Sequence, residues 1–325
     1  MPSKPSVSVI IPAHNCSAFV GRAVASVVTQ EFGDWEAIVI DDASTDDTWA
    51  ACNALEPDPR VHLLQNPENL GTAGTRNRGL AAARGNYIAL LDSDDRWYPN
   101  FLSTQLQVLN SRPEVHCVCS DFDLINEHDV ITFASSARFS YDPSHPLQHH
   151  NLASLWNSSG NVIPSTFVAE RDVFEMVGGF QKGYFEDVNF WLRLGAAGFD
   201  IFETPAVLAS YRLHSGQKTK NAERMRVARA EAYRTFVAAD PQAVRRIPRE
   251  SVRKKLHELY ASAGDVHFWM DHDYEAASRY YRLALRQSPF DLGTAVKLTW
   301  SHTPEVVRRA VRGFRQALTH QGKPQ

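Results

Sequence analysis

Three carboxylates stand together at the end of a short apolar run, Tyr87 to Leu91. Asp92, Asp94 and Asp95 follow that run directly. Carboxylates this close repel one another, so keeping all of them ionised costs free energy unless a divalent cation or hydrogen-bond donors neutralise them. A hard ion that also binds phosphate is the simplest solution. The alternative is that the acids cap a helix after Pro99, which accounts for Asp95 better than for Asp92.

Two further turns carry groups that suit a nucleotide. A nucleobase needs a flat surface and a hydrogen-bond acceptor, which His14 and Asp42 can supply, while Pro12 and Ala13 offer main-chain groups near a ribose. Packing in the core is an equal alternative for His14.

A third turn suits a diphosphate. Arg76 and Asn77 lie at the predicted start of a helix, where free amides and the helix dipole favour negative charge. The alternative for an arginine in such a place is a solvated helix face, which is the favoured interpretation of Arg78.

The elements that must position these residues alternate between apolar strands and amphipathic helices, which predicts parallel βα units with a sheet covered on both faces. The predicted strands are Val7 to Ile11, Trp35 to Ile40, Val61 to Leu64, Tyr87 to Leu91 and Val115 to Ser120. The predicted helices are Ala18 to Gln30 (capped by Ser17), Asp46 to Leu55 (capped by Ser44 or Thr45), one ending at Arg84 before Gly85, and Asn100 to Asn110. Because open α/β sheets bind ligands beyond the carboxyl ends of their strands, the ligand-type turns should line one edge.

Four segments resemble the successive motifs of the family 2 glycosyltransferases: VSVIIPAHN, VIDDASTDDT, NLGTAGTRNRGL and YIALLDSDD. They occur in family order and spacing, and the likeness covers about the first two thirds of the chain. The resemblance implies a GT-A fold, which is Rossmann-like with a mixed, mainly parallel sheet. It also implies a nucleotide-diphospho-sugar donor, usually a uridine one, and a divalent Mg²⁺ or Mn²⁺ ion.

The resemblance also implies roles for individual residues. Asp94 corresponds to the metal-binding acid of the DxD motif, Asp92 is expected to reach the ribose or the metal, and Asp42 corresponds to an acid that contacts uracil. His14 stands where family members often have tyrosine. The expected donor-binding set is Pro12, Ala13, His14, Asn15, Asp42, Arg76, Asn77, Asp92 and Ser93.

An inverting transfer is a single displacement, so it needs one base for the acceptor hydroxyl. Glu186 and Asp187 precede an apolar helical stripe and resemble the family's ED motif, in which the aspartate is the base. Asp187 is therefore the expected catalytic base and Glu186 its support. The residues alone leave open that the pair only complements a helix dipole.

The remaining candidates lie between residues 156 and 219. Ser165 and Thr166 are expected to face the sugar. His214, in a segment resembling the loop that closes the donor site, is a candidate metal or phosphate ligand, with an ordinary loop histidine as the alternative. Trp156 and Trp191 could stack on a saccharide, although core packing is the commoner fate of tryptophan.

Composition limits the other possibilities. The chain has 325 residues, 43% of them hydrophobic, and a net charge of -3, which disfavours nucleic acid as a partner. No apolar run is long enough to span a bilayer, and the amino terminus has too short an apolar stretch for a secretion signal, so the expected location is the cytoplasm. The four cysteines lack metal spacing and are expected to be reduced and packed.

The composition changes after about residue 219, which predicts a GT-A domain over 1–219 and a helical domain over 220–325. Within the latter, Ala261 to Asp291 resembles one tetratricopeptide-like hairpin. The last predicted helix, Pro304 to Leu318, is basic and amphipathic. Such a helix can lie on an anionic bilayer at the inner membrane face, although an ordinary packing helix is the alternative.

The sequence thus predicts an inverting, metal-dependent glycosyltransferase that transfers a sugar from a nucleotide diphosphate, with UDP expected, to a saccharide or lipid-linked hydroxyl in cell-surface glycan synthesis. Two alternatives are a nucleotidyltransferase on a similar sheet and a non-catalytic protein that binds sugar nucleotides or glycans. The first would need a basic glycine-rich loop after strand one, and the second has no use for a base at Asp187.

Overall fold

A computed structural model of the chain describes residues 4–54, 58–135, 147–158, 162–183, 185–217 and 221–303. The chain divides into two compact units, Met1–Lys220 and Asn221–Gln325. The predicted division was after residue 219, and that each unit is a separate functional domain stays a prediction. The predicted last helix, Pro304 to Leu318, lies outside the described residues.

The first unit is built on a ten-stranded sheet in the order β3-β2-β1-β4-β9-β6-β10-β5, with β7 paired to β6 and β8 paired to β10. The strands are β1 Val7–Ala13, β2 Trp35–Asp41, β3 Val61–Gln65, β4 Tyr87–Leu90, β5 Arg96–Trp97, β6 Cys117–Asn126, β7 Ile131–Phe133, β8 Gln148–His150, β9 Val168–Glu170 and β10 Ile201–Leu213. The first four strands are mutually parallel, β6 runs parallel to β10, and β9 joins β4 to β6 in the antiparallel sense. The predicted mixed, mainly parallel fold is confirmed.

Helices cover this sheet: α1 Val20–Val28, α2 Thr48–Asn53, α3 Gly71–Ala82, α4 Phe101–Ser111, α5 Leu152–Ser158, α6 Arg171–Val177 and α7 Glu186–Ala197, with a 3₁₀ turn at Pro164–Thr166. One apolar cluster joins β1, β2, α1 and α4 through fully buried side chains such as Val9, Val24 and Phe101. Gly178, at φ 84°, ends α6, because this left-handed conformation favours glycine.

Several local expectations are wrong. Strand β1 continues through Pro12, whose fixed φ suits an extended strand and which lacks only a donor. Ser17 does not cap α1; instead its N–H donates to the Asp46 carboxylate at 3.2 Å. The start of α2 is likewise organised by Asp46, which accepts from Thr48 N–H at 2.9 Å, and not by Ser44 or Thr45. Acids and hydroxyls of neighbouring turns thus bind one another.

The second unit consists of helices α8 Ala222–Ala239, α9 Pro241–Arg245, α10 Arg249–Trp269, α11 Tyr274–Gln287 and α12 Leu292–Ser301. Helices α10 and α11 pack together as a hairpin. The ring of Tyr281 lies against Gly264, where a Cβ would come within 2.6 Å of it. Tyr281 is fully buried with Ala277 and Phe268, so the predicted helical region at this end of the chain is confirmed.

Candidate active site

The turns that follow β1 and β2 are joined by hydrogen bonds at the carboxyl edge of the sheet. The N–H of Asp42 donates to the carbonyl of Ala13 at 2.8 Å, and the N–H of Asn15 donates to Ser44 Oγ at 3.0 Å. The side-chain oxygen of Asn15 accepts from Thr45 N–H at 2.8 Å. Asn15 has a left-handed φ of 51° and serves as the connector between the two turns.

His14 lies half-buried at this edge, beside half-buried Pro12. Its Nδ1 is 2.9 Å from the carbonyl oxygen of Asp42, and because a carbonyl can only accept, Nδ1 carries the proton. The amide nitrogen of Asn69, which the sequence did not single out, lies 3.3 Å from Nε2 of His14. The ring is therefore fixed in orientation, as a surface for stacking requires. Base stacking on His14 remains a prediction.

The carboxylate of Asp42 holds the start of α3. Its Oδ1 accepts from Asn66 Nδ2 at 2.7 Å and from Leu70 N–H at 2.8 Å, while Oδ2 accepts from Gly71 N–H at 2.9 Å. A carboxylate has about four acceptor positions, of which these bonds occupy three, and Asp42 is only 3% exposed. The predicted base contact stays open, beside an observed structural role.

The structure brings together two of the predicted metal ligands, which are 120 residues apart in sequence. His214 Nε2 lies 3.0 Å from Asp94 Oδ2, and the two side chains are 14% and 28% exposed. The ring of Phe19 packs on the His214 ring at 4.7 Å between centroids. Both side chains are thus partly exposed at the carboxyl edge of the sheet, where the ligand cleft is expected. The Phe19 ring packs against the imidazole and limits its movement.

Asp95 does not cap a helix, so that interpretation is wrong. It is 1% exposed, accepts from Ser165 Oγ–H at 2.5 Å and from Arg212 N–H at 2.9 Å. Burial, followed by the charges of Asp94 and Asp92, raises the pKa of Asp95 well above its usual range, against the two hydrogen bonds. Asp95 is a structural acid that ties the loop after β4 to the rest of the sheet.

Ser165 and Thr166 do not face a sugar, because both are fully buried. Ser165 Oγ also accepts from Asp92 N–H at 3.0 Å, and Thr166 Oγ1 donates to the carbonyl of Ile163 at 2.9 Å. Trp156 and Trp191 are also fully buried, which confirms core packing. These four side chains are thus part of the buried packing around the site.

Arg212 is a site residue that the sequence did not reveal. Its fully buried guanidinium donates from Nε to the carbonyl of Asp94 at 2.7 Å and from Nη1 to the carbonyl of Asn126 at 2.8 Å. Its Nη2 lies 2.6 Å from Asp129 Oδ1. The loop that carries Asp94 is thereby fixed to β6 and β10.

Arg76 links the two acid motifs. Its Nη2 lies 2.6 Å from Asp92 Oδ1 and its Nη1 lies 2.8 Å from Glu186 Oε1. Burial alone would lower the pKa of this guanidinium, but the charges of Asp92, Glu186 and Asp187 raise it. Because the side chain is 2% exposed and both terminal nitrogens are engaged, direct binding of a diphosphate by Arg76 is not supported.

Asn77 also has a structural role, and its predicted contact with a diphosphate remains a prediction. Its Nδ2 donates to the carbonyl of Phe180 at 2.7 Å, and its Oδ1 accepts from Phe180 N–H at 2.8 Å. A Cβ on Gly179 would come within 2.6 Å of that Oδ1, so the contact depends on glycine there. Helix α3 therefore holds the segment that leads to the ED motif through Arg76 and Asn77 together.

Asp187 has the electrostatics of a base at neutral pH. Burial and then the charge of Glu186 raise its pKa to about 7, against the opposing effects of Arg76 and of a hydrogen bond from Val188 N–H. The Val188 bond is made to Oδ1 at 2.8 Å. Phe185, just before α7, has a φ of 60°, which is unusual for a bulky residue and which the surrounding contacts must maintain.

The side chains of Ser93 and Cys16 are in contact. Ser93 belongs to the loop from Asp92 to Asp95 that follows β4, which we call the acid loop. Ser93 is 8% exposed, and its hydroxyl hydrogen-bonds the Cys16 thiol. Burial raises the pKa of that thiol to about 11 against this bond. All four cysteines are free thiols, as expected. Ser93 can meet a donor only through its backbone, and that contact remains a prediction.

Comparison with known proteins decides the family. Residues 8–178, which contain β1 to β4, the acid loop and α6, match the profile of the family described as Glycosyl transferase family 2. The chain belongs to this family. The predicted class of enzyme, a glycosyltransferase, is thereby confirmed.

Relatives of this family 2 glycosyltransferase include two bacterial enzymes of known or assigned role. The chain is 33% identical over 217 residues to the Escherichia coli UDP-Glc:alpha-D-GlcNAc-diphosphoundecaprenol beta-1,3-glucosyltransferase WfaP, covering 66% of this chain and 80% of that protein. It is 31% identical over 225 residues to the putative teichuronic acid biosynthesis glycosyltransferase TuaG of Bacillus subtilis, covering 67% and 83%.

Solved structures confirm the GT-A type of fold. The S. aureus TarS fragment 1-349 in complex with UDP-GlcNAc superposes with a TM-score of 0.68 at 15% identity, covering 96% of this chain and 92% of that one. The mannosyltransferase PcManGT from Pyrobaculum calidifontis, in complex with GDP-Man and Mn²⁺, superposes with a TM-score of 0.56 at 16% identity, covering 93% and 89%. At these identities the likeness concerns the fold.

Asp94 and His214 are within hydrogen-bond distance of each other in this structure, and their spacing would also suit two ligands of one divalent ion. Two ligands at neighbouring corners of an octahedral Mg²⁺ with bonds of about 2.1 Å lie about 3 Å apart, and Asp94 Oδ2 and His214 Nε2 lie 3.0 Å apart. Among the described residues no group of three or more His, Cys, Asp or Glu could hold a metal. Phosphate oxygens and water would therefore have to complete the shell.

Within the part of the chain that the structure describes, no helix has both the length and the apolar character needed to cross a membrane.

Proposed function

We propose that this enzyme is an inverting, metal-dependent glycosyltransferase that moves a sugar from a UDP-sugar to a hydroxyl of a lipid-linked saccharide in cell-surface polysaccharide synthesis. The observation that carries the proposal is the arrangement around Arg76. This buried cation binds Asp92, two residues before Asp94, and Glu186, the neighbour of Asp187, while Asp94 contacts His214. The proposed metal-diphosphate site and the proposed base, whose pKa is about 7, would therefore depend on the same buried side chain.

The donor and acceptor are inferred from relatives and from site chemistry. The WfaP name specifies UDP-Glc and a diphosphoundecaprenol-linked acceptor, and the TarS structure contains UDP-GlcNAc. His14 and Asp42 stand at the edge where a uracil would bind, next to the main chain of Pro12 and Ala13. A uridine donor and a lipid-linked acceptor are consistent with these observations.

The divalent ion, Mg²⁺ or Mn²⁺, would be held by Asp94 and His214 and would offset charge on the departing diphosphate. The chain's own residues supply the rest. Val188 N–H donates to Asp187 Oδ1. The other carboxylate oxygen, Oδ2, is therefore the atom that would accept the proton of the acceptor hydroxyl. Arg76 binds Glu186 and so holds the start of α7 in place. Arg212 and Asp95 fix the loop that carries Asp94.

A base with a pKa near the working pH combines a large ionised fraction with enough basicity to accept a proton. The surroundings of Asp187 provide this balance, since burial and Glu186 raise its pKa while Arg76 opposes the rise. The acceptor oxygen then attacks the anomeric carbon from the face opposite the diphosphate. Inversion follows from this single displacement.

The test is a panel of nucleotide sugars, assayed with Mn²⁺ for binding, for slow donor hydrolysis and for transfer to a lipid-linked acceptor. Asp94→Asn should abolish Mn²⁺-dependent donor binding. Asp187→Asn should bind donor within about two-fold of the parent and lose transfer by roughly 10²–10⁴-fold, the usual size of a general-base contribution.

The matched control is Asp172→Asn. Asp172 is exposed in the first turn of α6, and Arg171 beside it bonds to Asn86 at the opposite edge of the sheet. This variant should behave like the parent in every assay. Transfer at the parental rate by both Asp94→Asn and Asp187→Asn would refute the assigned roles.

A further inference from the structure

Exposed apolar side chains of the first unit concentrate in one place. Its described residues include six large hydrophobic side chains that are exposed, namely Val28, Val130, Ile131, Phe133, Met176 and Leu213. Four of them are neighbours: Ile131 pairs with Ile125 and Phe133 with Leu124 across the β6–β7 hairpin, Val130 precedes Ile131, and Leu213 pairs with Asn126 on the other side of β6. We call Val130, Ile131, Phe133 and Leu213 the hairpin patch.

The hairpin patch is unusual for a strand and its turn. Successive side chains of a strand point to opposite faces, and normally one face is buried. Every residue of β7 is exposed, with Ile131 at 47% and Phe133 at 64%, and Val130 before it is 57% exposed. Contiguous exposed apolar surface of this kind marks a protein or membrane contact.

The patch stands beside the candidate metal pair. Strands β6 and β10 are parallel and end together at Asn126 and Leu213, and His214 follows directly. Asp129, in the turn of the hairpin, lies 2.6 Å from Arg212 Nη2, and Arg212 Nε donates to the carbonyl of Asp94 at 2.7 Å. One buried side chain thus connects the hairpin to the acid loop.

Two exposed arginines lie at the turn of the hairpin. Asp129 is shared by Arg212 and by two exposed arginines, Arg22 at 3.2 Å and Arg96 at 3.7 Å, whose side chains are 45% and 37% exposed. One carboxylate therefore faces three guanidinium groups. Apolar side chains next to two exposed arginines are suited to an anionic lipid surface, whereas an uncharged protein partner would not require the arginines.

We propose that the hairpin patch inserts into the surface of an anionic bilayer and holds the Asp94–His214 side of the cleft against the lipid that carries the acceptor. The benefit to catalysis rests on the proposed lipid-linked acceptor, whereas the membrane contact itself does not. The apolar side chains enter the headgroup boundary while Arg22 and Arg96 meet lipid phosphates. The acceptor head group then needs to reach only from the bilayer surface into the adjoining cleft.

The test uses the full chain and vesicles of phosphatidylethanolamine with 30% phosphatidylglycerol, compared with phosphatidylcholine vesicles. In flotation, the double variant Ile131→Ser with Phe133→Ser should bind anionic vesicles at least five-fold less than the parent does. The matched control, Val28→Ser with Met176→Ser, removes exposed apolar side chains elsewhere and should float like the parent. Both should keep the parental melting temperature and donor hydrolysis.

Equal flotation of parent and hairpin variant would overturn the proposal, as would equal binding to both kinds of vesicle. A change of oligomeric state in the hairpin variant without a change in flotation would also overturn it, in favour of strand pairing between two copies. If neither the parent nor the variants hydrolyse the donor, that result would count against the proposed function. The flotation result would still test the membrane contact. Reduced transfer to a vesicle-embedded acceptor, with unchanged transfer to a short-chain soluble one, would tie the contact to catalysis.

Discussion

At the scale of single residues, the site is organised by cations that face inwards. Arg76 and Arg212 are almost completely buried, and each fixes a carboxylate loop by several hydrogen bonds. Guanidinium is suited to this because its planar fork can bind two acceptors in fixed directions. The groups that we propose to meet substrate are Asp94, His214 and Asp187, each held by a neighbour.

We expect Arg76→Lys to reduce kcat about ten-fold while the Kd for UDP changes less than two-fold. Lysine keeps the charge but cannot bind Asp92 and Glu186 together. Because Arg76 opposes the rise in the pKa of Asp187, a less close cation should raise that pKa further and move the acidic limb of the pH–rate profile to higher pH. Isothermal titration with UDP and pH profiles of transfer provide the measurement.

Arg84→Lys is the control for this change. Arg84 also binds a buried carboxylate, that of Glu36 at 2.6 Å, but at the opposite edge of the sheet. Arg84→Lys should leave the pH–rate profile of transfer unchanged. A weakening of UDP binding by Arg76→Lys as large as its loss of kcat would instead favour direct contact with the diphosphate.

Sequence reasoning predicted the residues at the cleft surface better than those behind it. Asp94 and His214 were both candidates, and the structure joins them. Ser165 was misassigned because a hydroxyl next to a strand looks the same in sequence whether it faces a ligand or a buried acid such as Asp95. The bridge from Arg76 to Glu186 spans 110 residues, and nothing in local spacing reveals such a pair.

At the scale of elements, the strands were predictable because they are apolar and end at turn residues, and the helix starts were not. Asp46 serves two neighbouring turns, binding Ser17 N–H and Thr48 N–H. Local capping rules cannot foresee a carboxylate supplied by another loop. Strand β6 runs past its predicted end at Ser120 to Asn126, because pairing with β10 continues along it.

The close approach of α3 to the sheet gives an element-scale prediction. A Cβ on Gly79 would lie 2.5 Å from Ile10 Cγ2 and 3.1 Å from Ile40 Cδ1. Overpacking a core typically costs about 1–3 kcal/mol, whereas alanine in place of glycine gains at most about 1 kcal/mol of helix propensity. Since Ile10 is β-branched and fully buried, the clash should win, and Gly79→Ala should lower the free energy of unfolding by roughly 1–2 kcal/mol.

Chemical denaturation measures this effect. Gly33→Ala is its control, because a Cβ there meets nothing within 4 Å, and it should be neutral to within about 0.5 kcal/mol. A neutral Gly79→Ala would mean that α3 can move away from β1 without loss. In that case Arg76 and Asn77 would not be held by the helix as firmly as their contacts indicate.

At the scale of the whole molecule, the proposed catalytic base Asp187 should weaken the fold above neutral pH. The pKa of Asp187 is about 7 in the folded protein and about 3.9 in an unfolded chain. Between these values the folded state binds a proton that the unfolded state releases. The stability that this proton provides is complete below about pH 4 and is lost as the pH rises through 7.

Asp187→Asn removes this dependence, because an amide has no proton to lose in this range. In metal-free buffer at pH 5 the variant and the parent should melt within about 2 °C of each other. At pH 8 the variant should melt higher by roughly 3–6 °C, after discounting the linkage for the partial exposure of the side chain. Scanning calorimetry of both proteins and of Asp172→Asn at the two pH values measures the difference. An equal offset at pH 5 and pH 8 would show that Asp187 does not titrate between them, and the same protein could not then use it as a base near pH 7.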